Sequence, residues 1–142
     1  MSNRVLVVED DDDLARLLTD RLRKADFTVE RASNGEAAVR LTREFSPEVI
    51  LMDWMMPIKS GIEACEEIRE DPWITQPYIA MLSVRSSEDD LARAEQAGVD
   101  EYITKPFSPR DVLNRVSAAI ELRTWLADDS ADARFAFSGS YR

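Results

Sequence analysis

Four short apolar runs in this chain each end on a group able to do chemistry. RVLVV at 4–8 runs into Glu9-Asp10-Asp11, VILM at 49–52 into Asp53, YIAML at 78–82 into Ser83, and Tyr102-Ile103 into Thr104-Lys105-Pro106. Brought to one place, these supply carboxylates, a hydroxyl and an ammonium. Clustered carboxylates repel one another and resist ionisation unless a cation sits among them. The chain has no histidine. That excludes a Ser-His-Asp triad, a Cys-His pair, an imidazole metal site and a phosphohistidine donor. A bound metal must therefore rest on oxygen, which favours Mg²⁺, Ca²⁺ or Mn²⁺. An oxygen nucleophile, a hard divalent ion, a lysine charge and a hydroxyl donor are what phosphoryl transfer requires. A carboxylate nucleophile gives an acyl phosphate.

The elements that must position these groups follow from the hydrophobic pattern. The runs at 4–8, 49–52 and 78–82 are short, apolar and rich in β-branched residues, which predicts buried strands. Phe27 to Arg31 alternates and predicts an outer strand whose end adds no functional group, and Tyr102-Ile103 marks a fifth strand. Between them lie helical spacings. Leu14, Leu17, Leu18 and Leu22 share one face, and Ser33 or Asn34 caps a helix carrying Ala37, Ala38, Val39 and Leu41. Pro57 and Gly61 break the chain before Ile62, Cys65 and Ile68. Residues 86–97 predict a helix with a weak apolar face, and 111–126 a last helix with Val112, Val116, Ala119 and Ile120 inward. Strict strand–helix alternation implies an α/β domain with a parallel sheet and right-handed crossovers. In such a sheet, ligands bind beyond the carboxyl ends of the strands. The four chemical groups stand at those ends.

Composition narrows the function classes. A chain of 142 residues with 44% hydrophobic content suits one domain with one core. A net charge of −10 argues against broad phosphate neutralisation of nucleic acid. Cys65 is the single cysteine, so no intrachain disulfide forms, and a reducing, cytoplasmic setting is expected. No signal peptide and no membrane-spanning run are legible. Residues 1–126 are expected to form the domain. Residues 127–142, with Phe135, Phe137 and Tyr141 among small residues and acids, predict a tail or the start of a linker.

The motifs VLVVEDD (5–11), VILMDWMMP (49–57), AMLS (80–83) and YITKPF (102–107), with intervals of 43, 30 and 22 residues from Asp10 to Asp53 to Ser83 to Lys105, resemble the receiver domain of bacterial two-component response regulators. The resemblance covers residues 4 to about 122 and is closest, over 100–112, to receivers joined to winged-helix DNA-binding domains. It implies a flavodoxin-like, doubly wound five-stranded parallel sheet in the order 2-1-3-4-5. It also implies that Asp53 is the phosphoacceptor and that Mg²⁺ is held by Asp10, Asp53, the backbone carbonyl of Met55 and, through water, Glu9. Ser83 and Lys105 then contact the phosphoryl group, Lys105 ahead of a cis bond to Pro106. Ser83 and Tyr102 carry the switch to the face made by helix 4, strand 5 and helix 5. The implied partners are a histidine kinase or histidine phosphotransfer protein upstream, and a downstream protein or fused output domain. The chain modifies itself and has no outside substrate.

Other readings bear on each motif. Glu9 to Asp13 can be a solvated helix start, Ser83 a helix cap, Lys105-Pro106 a strand exit and Tyr102 ordinary packing. Cys65 is expected in the core; Trp54 and Trp73 fall near loops, as partner contacts or as packing. A phosphate-independent interaction module of the same fold is the main rival. An Asp-nucleophile phosphatase ranks lower, because Met55 stands where such enzymes carry a second Asp. Departures from the family pattern are Val84 for a small residue, Ser60 for an Asp, Leu91 for a basic residue and Glu95 for an apolar one. Glu101 and Arg115 keep one of the crossed ion pairs of the family's dimer face, while Leu91, standing where a basic residue is usual, is expected to leave Asp111 without its partner in that dimer. A homodimer through this face is expected to be altered, and one through another face remains open. The residues after 126 are too few for an output domain, so the chain is expected to be a stand-alone receiver or a fragment of a longer regulator.

Overall fold

A computed structural model describes residues 3–128. It contains β1 (Arg4–Val8), α1 (Asp12–Lys24), β2 (Thr28–Ala32), α2 (Gly35–Phe45), β3 (Val49–Asp53), α3 (Gly61–Glu70), β4 (Tyr78–Ser83), α4 (Glu88–Ala97), β5 (Glu101–Thr104) and α5 (Pro109–Asp128). The strands form one sheet in the order β2-β1-β3-β4-β5, all pairs parallel. The expected class and order hold.

Alternation along each strand divides the core into two layers. Leu6, Val8, Ile50, Met52, Ile79 and Met81 pack against the helices α2, α3 and α4, together with Ala38, Val39, Ile62, Cys65 and Ile68. Val5, Val7, Val49, Leu51, Ala80 and Leu82 pack against Leu18 and Leu22 of α1 and Val112, Val116, Ala119 and Ile120 of α5. Both faces of the sheet are covered, which is why the inner strands read as continuous apolar runs.

Helix ends follow their side chains. Asp11 accepts from the N–H groups of Asp13 and Leu14, Asn34 accepts from that of Ala37, and Ser60–Glu63 and Ser87–Asp90 form capping boxes. Helix α4 buries only Ala94 and Ala97. Two methyl groups anchor it weakly compared with the Leu, Ile and Val contacts of its neighbours, so it is the helix best able to shift.

Several element bounds differ from the sequence reading, among them the start of α4, at Glu88 instead of residue 86. Strand β2 lies one residue later than expected, because Phe27 turns into the α1–α5 layer instead of pairing. Helix α5 starts earlier, at Pro109, whose missing N–H costs nothing at a first helical position. It also runs on to Asp128. The predicted tail after 128 lies outside the described residues. No helix among the described residues is long and apolar enough to cross a membrane.

The loop from Trp54 to Ser60 is held tightly. Lys59 N–H donates to the Pro57 carbonyl at 2.7 Å, closing a three-residue turn whose central residue, Ile58, has φ 71°. A β-branched side chain in that region carries strain of about 1–2 kcal/mol, and Ile58 is 77% exposed, so it recovers little by burial. Ile58→Asn should therefore raise the unfolding free energy by about 1 kcal/mol in urea titration. An unchanged or lower midpoint would show that Ile58 sits there without strain.

Candidate functional site

The parallel register brings the strand ends to one edge. Val8 pairs with Met52 and Asp53 with Leu82, so Glu9 and Asp53 stand side by side just past β1 and at the end of β3. Ser83 pairs with Thr104, and the Lys105 N–H donates to the Ser83 carbonyl at 2.8 Å. Every group that the sequence placed at a strand end is delivered to the same edge.

Carboxylate oxygens of Glu9, Asp10 and Asp53 all lie within 4.8 Å of one another. Glu9 is 1% exposed and Asp53 5%, while Asp10 is open to solvent. Lys105 Nζ reaches over both buried acids, 3.2 Å from Glu9 Oε1 and 3.4 Å from Asp53 Oδ1. Burial, and then the neighbouring Asp53, push the Glu9 carboxyl up to about 7, against the Asp11 N–H and Lys105, which favour its ionised form. For Lys105, burial acts to strip the proton, but the facing carboxylates of Asp53 and Glu9 outweigh it and raise its pKa. Two buried acids therefore share one ammonium, with Asp10 close beside them. The donor set is all hard oxygen and has surplus negative charge, which fits a divalent ion such as Mg²⁺.

Backbone contacts fix this arrangement. Gly61 N–H donates to the Trp54 carbonyl at 2.8 Å, and Trp54 N–H to the Leu82 carbonyl at 3.2 Å. A Cβ on Gly61 would lie 2.2 Å from the Asp53 carbonyl oxygen. A Cβ on Gly35 would lie at the same distance from the carbonyl oxygen of Lys59. The loop after Asp53 thus passes where only two bare glycines admit it. Met55 lies in this loop with its side chain exposed.

The sequence reading assigned nothing to the end of β2, and the structure corrects this. Arg31 donates through Nε and Nη2 to the Glu9 carbonyl, at 3.1 and 2.7 Å, and Nη2 also pairs with Asp12 at 2.9 Å. This holds the acidic turn in place from the neighbouring strand. An alternating outer strand gives no sign that one of its arginines reaches across to β1. The Lys105–Pro106 bond is cis. Cys65 is fully buried, and burial pushes its thiol up to about 11, so it is core and not a nucleophile.

Residues 5–117 match the family described as the Response regulator receiver domain. The chain belongs to this family. Transcriptional regulatory protein SrrA of Staphylococcus aureus is 39% identical over 120 residues, which cover 84% of this chain and 48% of SrrA. The chain thus spans about half the length of the curated relatives it matches. The receiver domain of the Francisella response regulator 1452 superposes with a TM-score of 0.80 at 28% identity, covering 87% of this chain and 100% of that one. The receiver domain of sensor histidine kinase PA1611 from Pseudomonas aeruginosa PAO1 superposes with a TM-score of 0.76 at 26% identity, covering 85% and 99%. That structure holds a magnesium ion coordinated in its active-site cleft.

Around the acidic pocket of this receiver domain, the second layer of contacts involves residues that sequence reasoning left open or missed. Ser83 is buried, and its Oγ accepts the Arg85 N–H at 3.0 Å. Tyr102 is half-buried, and its hydroxyl donates to the Arg85 carbonyl at 2.6 Å. Trp54, immediately after Asp53, is buried and meets the Tyr102 ring edge-on at 6.3 Å between centroids. Trp73, by contrast, is 91% exposed. On the far side of the receiver, Arg115 bonds both Glu101 and Asp111. The Asp111 contact is one helical turn away on its own helix.

Proposed function

We propose that this receiver takes a phosphoryl group onto Asp53 from a phosphohistidine donor, in the presence of Mg²⁺. The observation that carries the reading is Asp53 itself: a buried carboxylate at a strand end, clustered with two more acids and faced by a lysine ammonium. An isolated buried acid would be a liability, but a divalent cation held by these acids would, with the lysine ammonium, stabilise an incoming phosphoryl anion. An Asp53 carboxylate oxygen attacks phosphorus in line, the phosphorus–nitrogen bond to the donor imidazole breaks, and that imidazole leaves with its electron pair and takes up a proton.

Asp10, Asp53, the Met55 carbonyl and, through water, Glu9 would hold Mg²⁺, which neutralises charge on the phosphoryl oxygens. Lys105 exchanges its contact with Asp53 for one with the phosphoryl group. Ser83 donates its hydroxyl to a second oxygen. The domain modifies itself and has no separate substrate. Its donor is a histidine kinase or histidine phosphotransfer protein. An apolar groove of about 470 Å³ lined by Leu14, Leu17, Val84, Lys105, Pro106, Phe107 and Pro109 opens beside the pocket and suits the donor's helices. Val84, 68% exposed, sits in that groove, so its bulk bears on access to the site.

The output is a downstream protein or a fused domain, reached through α4, β5 and α5. A twofold pairing through that face would require Arg115 to leave the two acids it already bonds. The interaction-module reading predicts a different response to a phosphoryl mimic. With Mg²⁺ and beryllofluoride, amide resonances of residues 83–85 and 102 should shift in the wild type and stay still in Asp53→Asn. Unmoved resonances in the wild type would favour the module.

A further inference from the structure

One residue outside the acidic pocket touches Ser83, Tyr102, Trp54 and the start of α4 at once. Arg85 lies two positions after Ser83, on the β4–α4 loop. Its N–H is donated to Ser83 Oγ at 3.0 Å, and its carbonyl receives the Tyr102 hydroxyl at 2.6 Å. Its guanidinium lies over the Trp54 ring, 4.7 Å from the centroid. The same guanidinium binds Asp90 Oδ1 through both Nε and Nη2, at 3.0 and 2.8 Å. Asp90 in turn belongs to the capping box that starts α4, accepting the Ser87 N–H. The Arg85 bond, first, and the Ser87 contacts hold the Asp90 carboxyl below the usual range.

The backbone of Arg85 therefore fixes the Ser83 hydroxyl and Tyr102. Its side chain fixes the tryptophan beside the acceptor and the first turn of the weakly anchored helix α4. Moving Ser83 toward a phosphoryl oxygen on Asp53 drags Arg85 with it, off the ring or off Asp90. We propose that Arg85 is a positioning residue whose side chain clasps the β4–α4 loop in the resting arrangement and so sets how readily Asp53 chemistry turns the switch. This rests on the phosphoacceptor reading of Asp53. The effect is a population shift: contacts made in the resting state and lost in the switched state oppose the phosphoryl group. A cation over an indole, 45% exposed here, and one ion pair make a clasp of modest strength.

The test is the affinity for beryllofluoride in the presence of Mg²⁺, measured by calorimetry on the full chain. Fluorescence is avoided because Arg85 itself touches Trp54. Arg85→Ala should bind beryllofluoride about fivefold tighter than wild type. Arg85→Lys should fall between, since it keeps a charge over the ring but loses the fork to Asp90. Affinity for Mg²⁺ alone should not change, which a general loosening of the fold would not spare. Should Arg85→Ala fail to fold, Asp90→Asn reads the same contact, with about twofold tightening expected. A wild type that binds beryllofluoride, with variants that bind it equally or more weakly, overturns the clasp alone. A wild type that does not bind it overturns the acceptor reading, and the clasp with it.

Discussion

Asp53→Asn should abolish uptake of a phosphoryl group from acetyl phosphate while leaving the fold intact. The amide is nearly the same size, so the packing at the end of β3 survives. It is not a nucleophile at carbon-bound oxygen, so acyl phosphate cannot form, and the initial rate should fall by at least about a thousandfold. The change also removes one of the acids crowded around Lys105. Glu9 remains with the ammonium and Asp10 beside it, so repulsion is relieved and thermal stability should hold or rise slightly. Phosphate-affinity gels and intact-mass spectra on both proteins, with a melting curve as control, check both halves. Wild-type uptake by the Asn variant would mean that the acceptor lies elsewhere.

Gly61→Ala should do comparable damage through the backbone. The added methyl would sit 2.2 Å from the Asp53 carbonyl oxygen and 3.0 Å from its carbon. Neither is a flexible side-chain end that can swing aside. Both belong to the acceptor residue, on a strand buried at every position. Relief requires α3 to move away from β3, which breaks the Gly61–Trp54 hydrogen bond and loosens Ile62 and Cys65 in the core. Overpacking of this kind costs about 3 kcal/mol, or about 10 °C in melting temperature for a chain of this length. The surviving folded protein holds Asp53 displaced, so its phosphoryl uptake should be slower even below the melting range. A variant with an unchanged melting curve and wild-type uptake would show that the loop is not held against α3 in this way.

Much of this architecture is legible in the residues. The buried strands announce themselves as unbroken apolar runs because helices cover both faces of the sheet. The acidic pocket is legible because three acids and a lysine stand immediately past those runs, where a parallel sheet must gather them. What stays hidden depends on contacts across the sheet or between loops. Arg31 looks like a polar residue on an outer strand, and only the parallel β1–β2 register brings it to Glu9. Arg85 looks like a surface charge after Ser83, since stacking on Trp54 requires two loops to meet. The Arg115–Asp111 pair lies within one helix at a spacing of four, and Arg115 is shared with Glu101, which depends on how β5 and α5 meet. The strain at Ile58 has no sequence signal beyond a β-branched residue after Pro57.

The central claim is that Asp53, among the grouped acids, is the atom donor to phosphorus. The most direct measurement treats the full chain with Mg²⁺ and acetyl phosphate, reduces the product with borohydride, and maps the altered residue by peptide mass spectrometry. An acyl phosphate is reduced to the corresponding alcohol, so the prediction is conversion of Asp53 to homoserine, dependent on both Mg²⁺ and the phosphoryl donor. Conversion at Asp10 or Glu9 instead, or a stable phosphate ester on Ser83 with Asp53 intact, would contradict it.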